Sequence, residues 1–104
     1  MIEQPLSEQL HRQGKDLRDL CRRFEIRELS LFGSGAHGKL RPDSDLDFLV
    51  EFEPGARIGF MALTKIAEEL SALFRRQVDV VPKRGLKPLI RDQILDEAEV
   101  LIAA

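Results

Sequence analysis

A chain of 104 residues has room for one hydrophobic core, so we expect a single domain over residues 1–104. Sixteen basic and eighteen acidic residues give a formal net charge of -2, which argues against a general nucleic-acid-binding protein. Cys21 is the single cysteine and cannot form an internal disulfide, no apolar run is long enough to span a membrane, and the N-terminus has no signal-peptide pattern. These features favour a cytoplasmic protein.

The first half of the chain is predicted to form a helix, a strand, a turn and a second strand. Apolar residues recur every three or four positions over residues 6–25, which predicts an amphipathic helix with Cys21 on its buried face. Residues 28–32 alternate between polar and apolar and end at a glycine, as a strand does. A glycine-rich turn over residues 33–38 and a loop then lead to a second alternating strand at residues 45–52.

The second half adds helices on both sides of a third strand. Helical spacing predicts a helix over residues 58–75, and a strand follows at residues 77–81 until a proline stops it. A basic loop, residues 82–88, precedes a helix over residues 88–98 that begins with a proline, and the tail VLIAA forms a brief strand or simply packs. Leu and Phe on the helices are assigned to the core. The predicted fold is α/β (α+β), a small mixed sheet of three or four strands flanked by helices.

The chemically informative segment is GSGAHGKLRPDSDLDFLV, in which Gly33-Ser34 is followed after ten residues by Asp45-x-Asp47. Residues two apart on a strand point to the same side, so Asp45 and Asp47 form a pair of carboxylates. Their mutual repulsion favours a cation between them, and hard oxygen ligands suit Mg²⁺. Asp79 lies between apolar residues on the third predicted strand and joins the same site if that strand neighbours residues 45–52.

The glycine-rich turn supplies the second half of the predicted site. Gly33 ends a strand and Ser34 begins the turn, where free backbone N–H groups suit a phosphate and glycine allows a close approach. A phosphate-binding turn one strand away from paired carboxylates is typical of phosphoryl-group chemistry with two metal ions.

These residues resemble the signature of the polymerase-beta-like nucleotidyltransferase superfamily. Nearly the whole chain, up to its ending GLKPLIRDQILDEAEVLI, is similar to the minimal nucleotidyltransferase (MNT) antitoxins of HEPN–MNT (type VII) toxin–antitoxin pairs. The residues that match the family pattern are Gly33, Ser34, Asp45, Asp47 and Asp79. The resemblance implies the polymerase-beta-like fold, ATP as substrate and two Mg²⁺ ions, with Mn²⁺ as a substitute, held by the three aspartates. It also implies transfer of AMP to a tyrosine hydroxyl of a HEPN ribonuclease, with which the chain forms a hetero-oligomer.

The turn departs from the family pattern at two positions. Many relatives read Gly-Ser-Arg-Ala-Arg-Gly, whereas this chain has Gly35 and His37 in place of the arginines. A neutral histidine holds a phosphate oxygen less strongly than an arginine fork, and Lys39 or Arg41 is a candidate substitute. The predicted nucleotide-binding residues are therefore Gly33, Ser34, Gly35, His37 and Lys39.

The sequence does not exclude two other functions, and it does not decide the role of one group of basic residues. The chain could neutralise a toxin by occlusion alone, or transfer a nucleotide to a small molecule, although so short a chain leaves no second domain to form an acceptor pocket. Basic residues around the third strand form either a solvated face or a contact with phosphates or a partner; they are Arg75, Arg76, Lys83, Arg84, Lys87 and Arg91.

Overall fold

The computed structural model describes residues 12–33 and 45–103. The predicted start of the first helix and most of the glycine-rich turn lie outside these ranges. Within them, the elements follow the predicted order and confirm a mixed sheet flanked by helices. They are α1 (Gly14–Arg23), β1 (Ile26–Phe32), β2 (Leu46–Phe52), α2 (Phe60–Phe74), β3 (Val78–Pro82), a 3-10 turn (Lys83–Gly85), α3 (Pro88–Glu97) and β4 (Glu99–Ala103).

The strands form one four-stranded sheet in the order β3-β2-β1-β4. β1 pairs antiparallel with both β2 and β4, whereas β2 and β3 are parallel neighbours. Parallel neighbours need a crossover connection, which α2 supplies. The tail, which the sequence left undecided between a strand and a packing segment, forms the edge strand β4.

The main core lies between one face of the sheet and helices α1 and α2. The alternating residues Leu46, Phe48 and Val50 are fully buried on β2, as the pattern predicts. Helical spacing on α2 brings Ile66, Leu70 and Phe74 to the same core, where the Phe48 and Phe74 rings lie 5.7 Å apart. The opposite face of the sheet is buried in part as well, because Ser30 and its partner Leu49 are 2% and 4% exposed.

Helix α1 places Cys21 in the core, which confirms the predicted position. The side chain is 5% exposed and belongs to the same buried cluster as Leu17 and Leu20. Burial raises the pKa of the Cys21 thiol to about 11, because the thiolate would lose its hydration.

Helix α3 forms where Pro88 and the spacing predict it, yet none of its residues is buried. The assignment of every helical Leu and Phe to the core is therefore wrong for Leu89, which is 97% exposed, and for Phe60 at the start of α2, which is 83% exposed. No helix within residues 12–33 and 45–103 is both long and apolar enough to cross a membrane.

Candidate active site

Strand pairing brings Asp47 and Asp79 side by side. The two residues are Cα partners in the parallel β2–β3 ladder, and the Leu46 N–H donates to the Gln77 carbonyl at 3.0 Å just before them. Paired residues on neighbouring strands point to the same face of a sheet. Asp45 directly precedes β2, two residues before Asp47, so all three predicted carboxylates lie at the same end of the two strands. The condition that the third strand neighbours the second is met.

Gly33 lies against Asp47 from the other side. It follows Phe32, the last residue of β1 and the partner of Asp47 in the antiparallel ladder. Gly33 has a φ of +71°, and a Cβ at this position would stand 2.8 Å from the Asp47 Oδ2 atom. Both the left-handed backbone and the closeness of the carboxylate therefore require glycine here. The sequence predicted Gly33 as a phosphate contact and did not predict this packing against Asp47.

The three carboxylates repel one another. The pKa of Asp47 is raised, first because the group is partly buried and then because Asp79 and Asp45 repel its charge. Asp45 and Asp79 are exposed, so neither is held in a dry core. Among the described residues, no group of three or more His, Cys, Asp or Glu side chains is already gathered closely enough to hold a metal ion. The three carboxylates are thus close enough to influence each other's charge, but they are not arranged as a complete set of metal ligands.

Four predicted nucleotide-binding residues lie outside the described ranges. These are Ser34, Gly35, His37 and Lys39, and Arg41 lies there as well. Gly33 is the member of that set that the structure describes, and it lies beside the Asp47 carboxylate.

The basic residues around β3 do not form one cluster. Arg75 and Arg76 precede β3, whereas Lys83 and Arg84 follow it, and a five-residue strand spans about 17 Å. Lys83 donates to Glu51 at 3.0 Å, so it forms an ion pair within the chain. These basic residues were predicted to form one group because they are close along the chain. The extended strand β3, however, separates them in space.

Comparison with known proteins agrees with the fold and with the family that the sequence resembles. Residues 15–101 match the model of the nucleotidyltransferase domain family. The protein adenylyltransferase MntA of Thermococcus cleftensis is 38% identical over 80 residues, which cover 77% of this chain and 79% of that protein. A minimal nucleotidyltransferase of solved structure is 38% identical with a TM-score of 0.75, over 88% of this chain and 92% of that one.

A more distant likeness supports the fold alone. The solved complex of the tri-AMPylated Shewanella oneidensis HEPN toxin with its MNT antitoxin contains a chain that is 18% identical, with a TM-score of 0.67. The match covers 91% of this chain and 73% of that one. The family match over most of the chain and the relatives at 38% identity agree with the resemblance that the Gly-Ser and Asp-x-Asp residues indicated. This chain belongs to the nucleotidyltransferase domain family.

Proposed function

We propose that this chain is a magnesium-dependent protein adenylyltransferase that moves AMP from ATP to a tyrosine hydroxyl of a HEPN-type ribonuclease, and so acts as a cytoplasmic antitoxin. The observation that carries the proposal is the meeting of Asp45, Asp47 and Asp79 at the end of β1 where Gly33 lies. The 38%-identical adenylyltransferase of Thermococcus cleftensis supports AMP as the transferred group. The HEPN toxin complex of the Shewanella antitoxin supports the class of partner.

The carboxylates fit a pair of Mg²⁺ ions. The raised pKa of Asp47 reflects first its partial burial and then repulsion from two neighbouring carboxylates, and a divalent cation would relieve that repulsion. Asp45, Asp47 and Asp79 offer the oxygen ligands that Mg²⁺ prefers, and the exposed side chains of Asp45 and Asp79 can turn toward an ion at the half-buried Asp47. Bound Mg²⁺ would neutralise the charge that builds up at the α-phosphate and on the departing pyrophosphate.

The chain's own residues would position the reactants. The backbone from Gly33 to Gly35, with Ser34, His37 and Lys39, is proposed to hold the triphosphate. The tyrosine oxygen then bonds to the α-phosphorus while the bond to the bridging oxygen breaks and pyrophosphate leaves. Asp79, exposed on the edge strand β3, is proposed to accept the proton of the hydroxyl.

The acceptor must come from another molecule if it is a tyrosine. The sequence contains no tyrosine, so the chain has no tyrosine hydroxyl of its own to modify. Because β3 is an edge strand, Asp79 is not enclosed between strands. This position leaves the carboxylates open to a hydroxyl carried on the surface of a large partner.

The test is intact mass measurement of the cognate HEPN-type ribonuclease, after incubation with the chain, ATP and Mg²⁺. We expect the mass to rise by about 329 Da for each AMP transferred at the α-phosphate. Asp47→Ala should abolish both the added mass and the neutralisation of the toxin. Asp19→Ala, an exposed aspartate on α1, is the matched control and should leave both unchanged.

The alternative function, neutralisation by occlusion, predicts a different result in the same experiment. It is favoured by the departures at Gly35 and His37, which remove two arginines from the phosphate turn. A parent chain that neutralises the toxin without adding mass, together with an Asp47→Ala variant that neutralises equally well, would replace the proposed function with this one.

A further inference from the structure

A second site lies at the end of the sheet opposite the carboxylates. A groove of about 590 Å³ is lined there by the last residues of β2 and β3, by the chain leading to α2 and by α3. Its apolar wall includes Phe52, Ile58 and Leu63. Asp47 lies near the start of β2, and the groove begins with residues three to six positions further along, which corresponds to ~10–20 Å of strand.

Three arginines line this groove and have no partner among the described residues. Arg27, Arg84 and Arg91 are exposed, and none has an ion pair or side-chain hydrogen bond with the part of the chain that the structure describes. The groove also contains Lys83, but that side chain is held by Glu51. An arginine fork that is left free in this way binds carboxylates in a bidentate manner. Glu53 also lines the groove, but the basic side chains outnumber the carboxylates, so the groove complements an acidic ligand.

Exposed apolar residues flank the groove along the chain. Phe60 and Met61, 83% and 75% exposed, follow its wall residue Ile58 after a single glycine. Leu89, 97% exposed, stands two residues before Arg91. Protein–protein interfaces are enriched in aromatic residues, methionine and arginine, which is the composition found here. A phosphate backbone would contact the arginines but would leave the apolar wall and these side chains in water.

We propose that this groove docks the acceptor protein, through a surface segment on which acidic side chains stand beside apolar ones. The inference rests on the proposed function. It adds that the chain recognises the acceptor at one end of the sheet and transfers AMP at the other. An interface of ordinary size covers about 800 Å² on each partner, which is wide enough to extend from the groove to the carboxylates. The free arginines select for charge, and the exposed apolar residues supply the contact area.

The test compares charge reversals at two places on the chain, using the cognate HEPN-type ribonuclease as the acceptor. The groove variant is Arg84→Glu with Arg91→Glu, and a neutral version is Arg84→Gln with Arg91→Gln. The control is Lys15→Glu with Arg18→Glu, an equal change of charge on exposed residues of α1. Calorimetry measures the dissociation constant at two salt concentrations, and initial rates of AMP transfer give kcat and the KM values for acceptor and for ATP.

We expect the groove reversal to raise the dissociation constant and the KM for the acceptor at least tenfold, with kcat and the KM for ATP unchanged. The neutral version should fall between it and the parent, and both should show a weaker dependence on salt. The control should stay within twofold of the parent. If the groove variant and the parent have equal KM values for the acceptor, the docking inference is overturned. AMP transfer by the parent in the same experiment would still uphold the proposed function. A parent that neither binds nor modifies the HEPN protein would overturn the proposed function, and the inference with it.

Discussion

Gly33 and Asp47 constrain each other, because the carboxylate occupies the space that a side chain at position 33 would need. A Cβ there would stand 2.8 Å from Oδ2, and the backbone already has a φ of +71°. We expect Gly33→Ala to destabilise the fold by about 1–2 kcal/mol through the left-handed backbone alone. It should also displace the Asp47 carboxylate and so abolish AMP transfer, as measured by intact mass of the acceptor.

Two other glycines separate these effects. Gly55 has a φ of +83°, but no described atom lies within 4 Å of where its Cβ would stand, so Gly55→Ala should lose similar stability and keep full activity. Gly14 also has open space and no positive φ, and at the start of α1 its replacement by alanine should stabilise by about 0.5–1 kcal/mol. Full activity in Gly33→Ala would show that the carboxylate tolerates displacement.

The raised pKa of Asp47 makes a prediction about stability and pH. A carboxyl whose pKa is higher in the folded state binds its proton more tightly there, so the fold loses stability as pH rises from about 3.8 through the raised pKa. Asp47→Asn removes this penalty. Without metal ions, the variant should therefore melt at a higher temperature than the parent at pH 7, and the difference should disappear near pH 3.5.

Asp19→Asn serves as the reference for that comparison, because Asp19 is exposed on α1 away from the three carboxylates. Its pH profile should follow that of the parent. A melting temperature for Asp47→Asn at or below that of the parent at pH 7 would mean that Asp47 gains more from its surroundings than it loses to burial and repulsion.

The sequence predicted the site aspartates because their spacing is local information. A two-residue separation on a strand is enough to place Asp45 and Asp47 on one side, and the polar position of Asp79 in an apolar strand marked it as unusual. The contact between Gly33 and Asp47 was not predictable in this way. It depends on the register between β1 and β2, which no pattern within either strand determines.

At the level of elements, α2 and α3 differ in how deeply their apolar side chains are buried. On α2, Leu70 is fully buried, whereas Leu89 on α3 is 97% exposed. Leu70→Ala should cost about 2–5 kcal/mol of the free energy of unfolding, because it removes buried methylene groups and leaves a cavity. Leu89→Ala should change it by less than about 0.5 kcal/mol.

Urea titration of both variants measures this contrast. Similar losses of unfolding free energy in the two would mean that α3 is packed more tightly than its exposure indicates. Should Leu89→Ala instead weaken binding to the acceptor protein while leaving stability unchanged, the role of this residue at the surface would be supported directly.

The helices also show where sequence patterns stop being informative. A spacing of three and four residues predicts that a segment is helical, and Pro88 predicts where α3 begins, so both helices were located to within two residues. The same spacing does not say whether another element covers the apolar side. For α2 the β-sheet covers it, and for α3 the described residues leave Leu89 and Ile90 exposed.

The two candidate sites of the whole molecule lie at opposite ends of the sheet, in a chain whose net charge is -2. Three carboxylates lie at one end, and three arginines that have no partner among the described residues lie at the other. A ligand that binds the folded state alone stabilises it by RT ln(1 + [L]/Kd), which is about 2.7 kcal/mol at a hundred times Kd. ATP with Mg²⁺ at that concentration should therefore raise the melting temperature by roughly 10–20 °C in a domain of this size.

Asp45→Asn combined with Asp47→Asn should abolish this thermal response, because the carboxylates that would hold the metal ions are gone. Arg84→Gln combined with Arg91→Gln should keep it, because those arginines lie at the other end of the sheet. A double asparagine variant that still responds like the parent would place the nucleotide site elsewhere.

The burial of Cys21 gives the protein a chemical reporter of its own unfolding. The sequence has neither tryptophan nor tyrosine, so the usual fluorescence signals of folding are missing, but it has one thiol and that thiol is in the core. With a pKa of about 11, the native thiol at pH 8 is ionised only to about one part in a thousand, whereas an unfolded thiol near pKa 8.5 is ionised to roughly a quarter. A disulfide reagent such as Ellman's will therefore react almost entirely with opened molecules. The rate at which colour develops then measures how often the α1–sheet core opens.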